Sequence, residues 1–245
     1  MLDNKQIPYI CVPLTGKNEQ EIKEELAKTL LYEPDVIEWR IDFMEGPFDE
    51  NHLISIVDFI TSTTNIPLLA TIRSEKEGGN PIPLTEVEKL HLLLTLCEQT
   101  DVAFIDFELS NDPEHIKAIR NKTNEKNKKL ILSYHHFSET PSNEFLKKIV
   151  QNAVEYNGDI AKIAVMPNNK DDVLRLLQLT NKMTETPNLP LITMSMGKLG
   201  AISRMIGWMY GSIMTFAVSV NSSAPGQIHI EALKKYIQQT KEVLK

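Results

Sequence analysis

Short apolar, β-branched runs alternate along this chain with stretches whose apolar residues recur every three to four positions. A run of the first kind is a strand buried on both faces, and one of the second kind is a helix with a single apolar stripe. Strands are expected at Pro8–Leu14, Asp35–Asp42, Pro67–Arg73, Val102–Leu109, Lys129–Phe137, Asp159–Pro167, Leu191–Met196 and Ile213–Val220. Helices are expected near Glu19–Tyr32, Asn51–Ser62, Thr85–Gln99, Pro113–Lys122, Ser142–Tyr156, Lys170–Met183, Ala201–Gly211 and Gln227–Val243. Thr85, with Glu88 three residues later, has the form of a capping box. Eight strand–helix pairs in 245 residues predict an α/β chain folded as a single (β/α)8 TIM barrel over residues 1–245. An open doubly wound sheet is disfavoured, because no G-x-G-x-x-G follows the first strand.

Residues two apart on a strand share a face. On the second strand Ile37, Trp39 and Ile41 form one face, fit to pack under helices, while Glu38, Arg40 and Asp42 form the other. Charges inside a barrel are costly unless paired or used. An ion-pair network that only fixes register would explain Glu38 and Arg40 alone. The pattern recurs, however. Arg73 ends the third strand, Asp106 and Glu108 share a face of the fourth, His135 shares one with Ser133, and Met194 shares one with Met196. Lys162 stands in the middle of the sixth strand. A lysine there either snorkels its head to water or is buried, and burial disfavours the ammonium and exposes a nucleophilic amine. So many ionisable groups near the carboxyl-terminal ends of the strands point to chemistry at that rim. Strand parity leaves open whether His135 or His136 enters the interior, since a bulge would exchange them.

Two loops carry further candidates. Arg73-Ser74-Glu75-Lys76-Glu77-Gly78-Gly79 lacks the Gly-Lys-Ser/Thr ending of a phosphate cradle, but Glu75 or Glu77 could orient a histidine. Asn221–Gln227 is small and polar. It suits a lid as well as an ordinary turn into a helix.

Composition narrows the function class. Lys and Arg number 26 against 33 Asp and Glu, a formal charge of −7, so the basic face a nucleic acid needs is not expected. An anionic small molecule remains compatible, because a few arginines can reverse the field locally. Cys11 and Cys97 show neither metal spacing nor a disulfide framework, which suits a reduced, cytoplasmic setting. Met1–Ile10 carries Asp3 and Lys5 and no apolar h-region, which argues against a secretory signal. The longest apolar run, Met205–Val220, falls short of the roughly 20 residues of a membrane span.

With these residues placed, the chain resembles the type I 3-dehydroquinate dehydratases, the Schiff-base dehydroquinases of the shikimate pathway. The resemblance rests on Glu38-Trp39-Arg40, the Arg73–Gly79 loop, Ser133-Tyr134-His135, Lys162-Ile163-Ala164, Met194-Ser195-Met196-Gly197, Ser203-Arg204 and Ser223-Ala224-Pro225-Gly226-Gln227, in that order. Any one of these is weak, but seven in the family's order are specific. The resemblance implies that Lys162 forms an imine with the C3 ketone, that His135 is the general acid/base, and that Glu77 orients it. It implies that Glu38, Arg40 and Arg73 contact substrate hydroxyls and the surroundings of the imine. Arg204 would clamp the substrate carboxylate, Ser223 and Gln227 would be lid contacts, and Met194, Met196 and Phe216 would be apolar walls. It further implies a homodimer, no cofactor, no metal, and a small-molecule partner, 3-dehydroquinate, with neither nucleic acid nor membrane.

The chemistry accounts for these residue types. Loss of water β to a ketone needs a proton to leave the α carbon, and an iminium is a better electron sink than a ketone. Nearby arginines would keep the lysine partly neutral by like-charge repulsion. One imidazole, titrating near neutrality, can serve the successive proton transfers. A class I aldolase-like Schiff-base lyase would share the lysine. It should carry a phosphate site after strands seven and eight, where Ser222–Gly226 adds no basic residue.

Overall fold

A computed structural model describes residues 8–184 and 189–244. Most of the segment read above as lacking a secretory signal, residues 1–7, lies outside the described residues. The chain alternates β1 (Tyr9–Leu14), α1 (Glu19–Leu30), β2 (Val36–Arg40), α2 (Glu50–Thr63), β3 (Leu68–Thr71), α3 (Glu86–Gln99), β4 (Phe104–Glu108) and α4 (Pro113–Glu125). It continues with β5 (Lys129–His136), α5 (Asn143–Glu155), β6 (Ile160–Val165), α6 (Lys170–Thr184), β7 (Leu191–Ser195), α7 (Gly197–Ile206), β8 (Met214–Phe216) and α8 (Ile230–Val243). The strands pair in parallel in chain order, and β1 also pairs with β8. The remaining seam, β7 to β8, closes through a bridge between Leu191 and Ser212 and a 2.8 Å bond from Ile213 N–H to Leu191 O. The fold is the TIM barrel expected from the alternation.

Among the described residues six helices start on side chains that accept a first-turn N–H: Asn18, Asp49, Thr85, Asp112, Ser142 and Asn169. Each such cap stabilises its helix by about 1 kcal/mol. Thr85 and Glu88 form the full reciprocal box.

Strand parity sorts the core into two layers. Ile37, Trp39, Ile41, Leu68, Ala70, Ile105, Phe107, Leu130 and Leu132 face outward and pack under the helices. The alternate residues face inward. At the amino-terminal end the interior is apolar: Tyr9, Cys11, Val36, Leu69, Phe104, Ile131, Ile160, Ile192 and Met214 form one cluster. Two residues further along the same strands stand Glu38, Thr71, Asp106, Ser133 and Lys162, all buried. The apolar level is thus a floor, and the charged level rests on it.

Four expectations are corrected. Asp42 lies in a 3-10 turn over Ile41–Phe43 rather than on β2. Arg73 falls two residues past β3, which ends at Thr71. Helix α7 begins at Gly197, earlier than Ala201, because Gly197 turns the chain at φ +68° directly after β7. Strand β8 is short, and α8 begins at Ile230 rather than Gln227. The intervening residues pair across the loop instead, with Val218 bridging to His229.

Candidate active site

Every residue expected at the site borders one cavity at the carboxyl-terminal mouth of the barrel: Glu38, Arg40, Arg73, Glu77, His135, Lys162, Met194, Met196, Arg204, Phe216, Ser223 and Gln227. Gly78, Phe137, Ala164 and Ala224 complete its wall.

Lys162 is buried at the bottom of this cavity, 4% exposed. It does not snorkel, because β6 is buried throughout and the side chain points inward. Its Nζ lies 2.9 Å from Asp106 Oδ2, 3.6 Å from Glu38 Oε1 and 4.4 Å from the centre of the Phe216 ring. The sequence suggested guanidinium neighbours, but the nearest charged groups are carboxylates. Both arginines on this side are paired with carboxylates. Arg40 makes a bidentate pair with Asp42 at 2.8 Å through each oxygen. Arg73 bonds Asp106 at 2.8 Å and Glu108 at 2.9 Å.

Asp106 is the residue that sequence reasoning left without a role. It joins Arg73, Lys162 and the Ser133 hydroxyl, which donates to it at 2.6 Å. Burial would raise its pKa, but Arg73 and Lys162 outweigh burial and hold the carboxyl well below the ordinary range. The alternation of Asp106 and Glu108 on β4 was the available signal. Ser110, whose hydroxyl donates to Glu77 Oε1 at 2.6 Å, had none.

Glu77 sits in a 3-10 turn over Glu75–Glu77 that the two following glycines make possible. Gly78 turns the chain at φ +83°. A Cβ on Gly79 would lie 2.1 Å from the Arg73 carbonyl oxygen. The turn brings Glu77 Oε2 to 2.9 Å from both the backbone N–H and Nδ1 of His135. Burial and the charge of Glu108 push Glu77 up to about 8, against the pull of Arg73. Burial, then the charges of Arg73 and Lys162, push the His135 imidazole well below its ordinary value. His136 faces away. Its Nδ1 accepts the Glu139 N–H at 3.2 Å, and its ring lies 6.3 Å from that of Tyr134.

On the opposite wall Arg204 is 1% exposed. Its guanidinium donates to Met194 Sδ at 3.3 Å and to the carbonyls of Phe216 at 3.4 Å and Pro225 at 3.2 Å. Its Nε is buried without a partner. Burial lowers its pKa to about 10, and no carboxylate opposes that. It stays a cation whose charge is unbalanced, which suits it to take a planar carboxylate from outside. Ser223 and Gln227 are tied to one another, Ser223 N–H donating to Gln227 Oε1 at 2.8 Å. Among the described residues no helix is long and apolar enough to cross a membrane.

A family model described as type I 3-dehydroquinase matches residues 10–243. A 3-dehydroquinate dehydratase of Geobacillus sp. (strain WCH70) is 46% identical over 231 residues, 94% of this chain and 89% of the relative. The crystal structure of 3-dehydroquinate dehydratase from Geobacillus kaustophilus HTA426 superposes with a TM-score of 0.93 at 40% identity, covering 96% of this chain and 91% of that one. A type I 3-dehydroquinate dehydratase from Clostridium difficile, solved with covalently modified comenic acid, gives a TM-score of 0.91 at 36% identity over 97% and 93%. More distant barrels, such as a 3-keto-L-gulonate-6-phosphate decarboxylase at 15% identity and TM-score 0.61, share the fold alone.

Proposed function

The chain belongs to the type I 3-dehydroquinase family, and from that premise we propose that it dehydrates 3-dehydroquinate to 3-dehydroshikimate through an imine on Lys162. The activity is that of a 3-dehydroquinate dehydratase, a hydro-lyase of the shikimate pathway. One juxtaposition carries the proposed mechanism. A buried amine, a partly buried imidazole on the adjacent strand and an unbalanced guanidinium all open into a single cavity.

Arg204 receives the substrate carboxylate and sets the C3 ketone over Lys162. The ammonium first gives up a proton. Asp106 cannot keep it, being held well below the ordinary carboxyl range. The Glu77–His135 pair can, because Glu77 is poised at about 8. With one proton on the shared Nδ1···Oε2 contact, Nε2 is free as a base; with a second proton, Nε2–H is an acid. Nζ adds to the ketone, and the carbinolamine loses water to give the iminium. His135 takes the α proton into the pair, and the electron pair expels the β hydroxyl, which leaves as water with that proton. A second water hydrolyses the imine and restores Lys162, so the net loss is one water. Glu38 and Asp106 face the iminium and favour its positive charge electrostatically.

Incubation with 3-dehydroquinate and borohydride, followed by intact mass measurement, tests this reading. A ligand-sized mass gain that disappears in Lys162→Ala is expected. Undiminished turnover in that variant, with no adduct on the parent protein, would remove the imine from the mechanism.

A further inference from the structure

We propose that Ser110, in the turn that follows β4, is a positioning residue that sets the proton balance of the Glu77–His135 pair through Glu77 Oε1. The inference rests on reading that pair as the acid/base of the dehydratase. Ser110 is exposed and does not border the cavity, so any effect on the chemistry passes through Glu77. Glu77 itself is 4% exposed. A carboxylate taken that far from water needs donors on both oxygens to stay ionised.

The two oxygens of Glu77 are held by different elements. Oε2 meets the backbone N–H and Nδ1 of His135, on β5, each at 2.9 Å. Oε1 accepts the Ser110 hydroxyl at 2.6 Å. Arg73, four residues earlier, stands 3.9 Å from Oε2 and is engaged elsewhere. Its guanidinium donates to Glu108 and Ser133 at 2.9 Å and to Asp106 at 2.8 Å. From β4 the Glu108 carboxylate faces Glu77 and opposes its charge. From β5 the Tyr134 phenol, beside His135, stands close enough to feel that charge. Among these neighbours the Ser110 hydroxyl is the donor to Oε1, at a distance typical of a hydroxyl on a carboxylate.

The hydroxyl takes no part in building its own turn. Leu109 N–H donates to Ser133 O at 2.8 Å, which carries the chain one residue past β4 along the flank of β5. Asn111 then closes the turn, its backbone N–H and Nδ2 donating to the Glu108 carbonyl at 3.2 and 3.1 Å. These bonds place the Ser110 backbone and leave Oγ to reach Glu77. Two anchored oxygens fix the plane of the carboxylate. With Oε1 occupied by a donated hydrogen, the shared proton of the pair is confined to the Oε2···Nδ1 contact, where His135 can use it. The hydroxyl also favours the ionised carboxylate over the acid, because its bond to a charged acceptor is the stronger. Without Ser110 the pair holds its second proton more tightly, and less of it is present as the base that takes the α proton.

NMR of the Glu77 carboxyl carbon, identified by its loss in Glu77→Gln, follows the titration of this group in the substrate-free protein. In Ser110→Ala its midpoint should rise by roughly half a pH unit or more. At pH 7 kcat should fall roughly threefold or more, while the KM for 3-dehydroquinate should change less than about twofold. The deficit in kcat should shrink as the pH passes the new midpoint, whereas damage to the turn alone would lower kcat equally at every pH. Ser110→Thr, which keeps the hydroxyl, should titrate and turn over as the parent does. In a Glu77→Gln background Ser110→Ala should lower kcat no further. An unmoved Glu77 midpoint in folded Ser110→Ala would overturn the proposal, as would a kcat deficit that does not vary with pH. If Ser110→Ala does not fold, Ser110→Cys, whose thiol is a weak donor, carries the same comparison. Absence of an imine in the parent protein would count against the dehydratase mechanism, while the carboxyl titration would still decide the role of Ser110.

Discussion

Replacing Glu77 by glutamine removes one titrating proton from the Glu77–His135 pair and leaves a side chain of the same shape. Folding moves the Glu77 carboxyl from an ordinary value of 4.5 to about 8, through burial and the charge of Glu108. Between those values the native protein holds a proton that the unfolded chain releases. Stability from this group is therefore complete below about pH 4.5 and is lost as the pH rises through about 8. For a single group with these two values, the loss between pH 7 and pH 9 is on the order of 1 kcal/mol, roughly tenfold in the folding constant. His135 adds little in this window, since its ordinary value is 6.5 and its native value is lower, so its ring is neutral in both states. The pull of Asp106 has the opposite sign, its stabilisation being lost as the pH falls below the ordinary carboxyl range. Urea unfolding of the parent and of Glu77→Gln at pH 7, 8 and 9 measures the effect as a difference, which cancels every group the two proteins share. The parent should lose on the order of 1 kcal/mol relative to the variant over that range. Parallel stabilities would show that Glu77 is ionised throughout, and the shared-proton account of the pair would fail.

His135→Ala should accumulate borohydride-trappable imine yet turn over at least about 100-fold more slowly, whereas His136→Ala, whose ring packs outside the cavity, should keep near-parent kcat. Equal losses in the two would mean that the wrong ring had been assigned. Arg204→Leu should raise the KM for 3-dehydroquinate by about 100-fold while leaving thermal stability level or higher, because the charge it removes is buried and unbalanced. A fall in melting temperature of several degrees in that variant would show a structural role instead. Gly78→Ala places a methyl in a left-handed turn, where its Cβ would come within 2.2 Å of the Phe137 ring. It should cost roughly 1–3 kcal/mol, read as a drop of roughly 2–12 °C in melting temperature.

The barrel was legible because β2 and β4 alternate cleanly. Ile37 and Trp39 announce the outer layer and Glu38 and Arg40 the inner one, and the same parity on β5 and β6 places Ser133 and Lys162 at one level. Helix starts were legible wherever a polar cap stands before an apolar stripe, as at Thr85. The end of β8 was not, since Ala217 and Val218 are apolar enough to extend a strand, yet Val218 bonds across the loop to the Ile228–Ile230 segment. Pairing of charges was also hidden. Periodicity puts Arg40, Arg73, Asp106 and Glu108 on inward faces but does not say which carboxylate meets which guanidinium, because that depends on turns past the strand ends. Asp42 reaches Arg40 from a 3-10 turn, and Arg73 reaches back over β4 from beyond β3. The amine at 162 therefore looked surrounded by cations when its direct neighbours are anions.

That correction divides the cavity into two halves with different work. Around Lys162 each guanidinium is matched by carboxylates, so protons can move among His135, Glu77 and the amine without a large uncompensated field forming at any step. Across the cavity Arg204 has only neutral acceptors, a thioether and two carbonyls. A chain with formal charge −7 repels an anion at long range. The unmatched guanidinium reverses that preference inside the cavity, where low polarity strengthens its field and its Nε still lacks an acceptor. Had a carboxylate of the protein been placed beside Arg204, the free protein would gain a hydrogen-bond partner for that group and lose its means of drawing in an acid. In the proposed mechanism, the missing partner is the one the substrate brings.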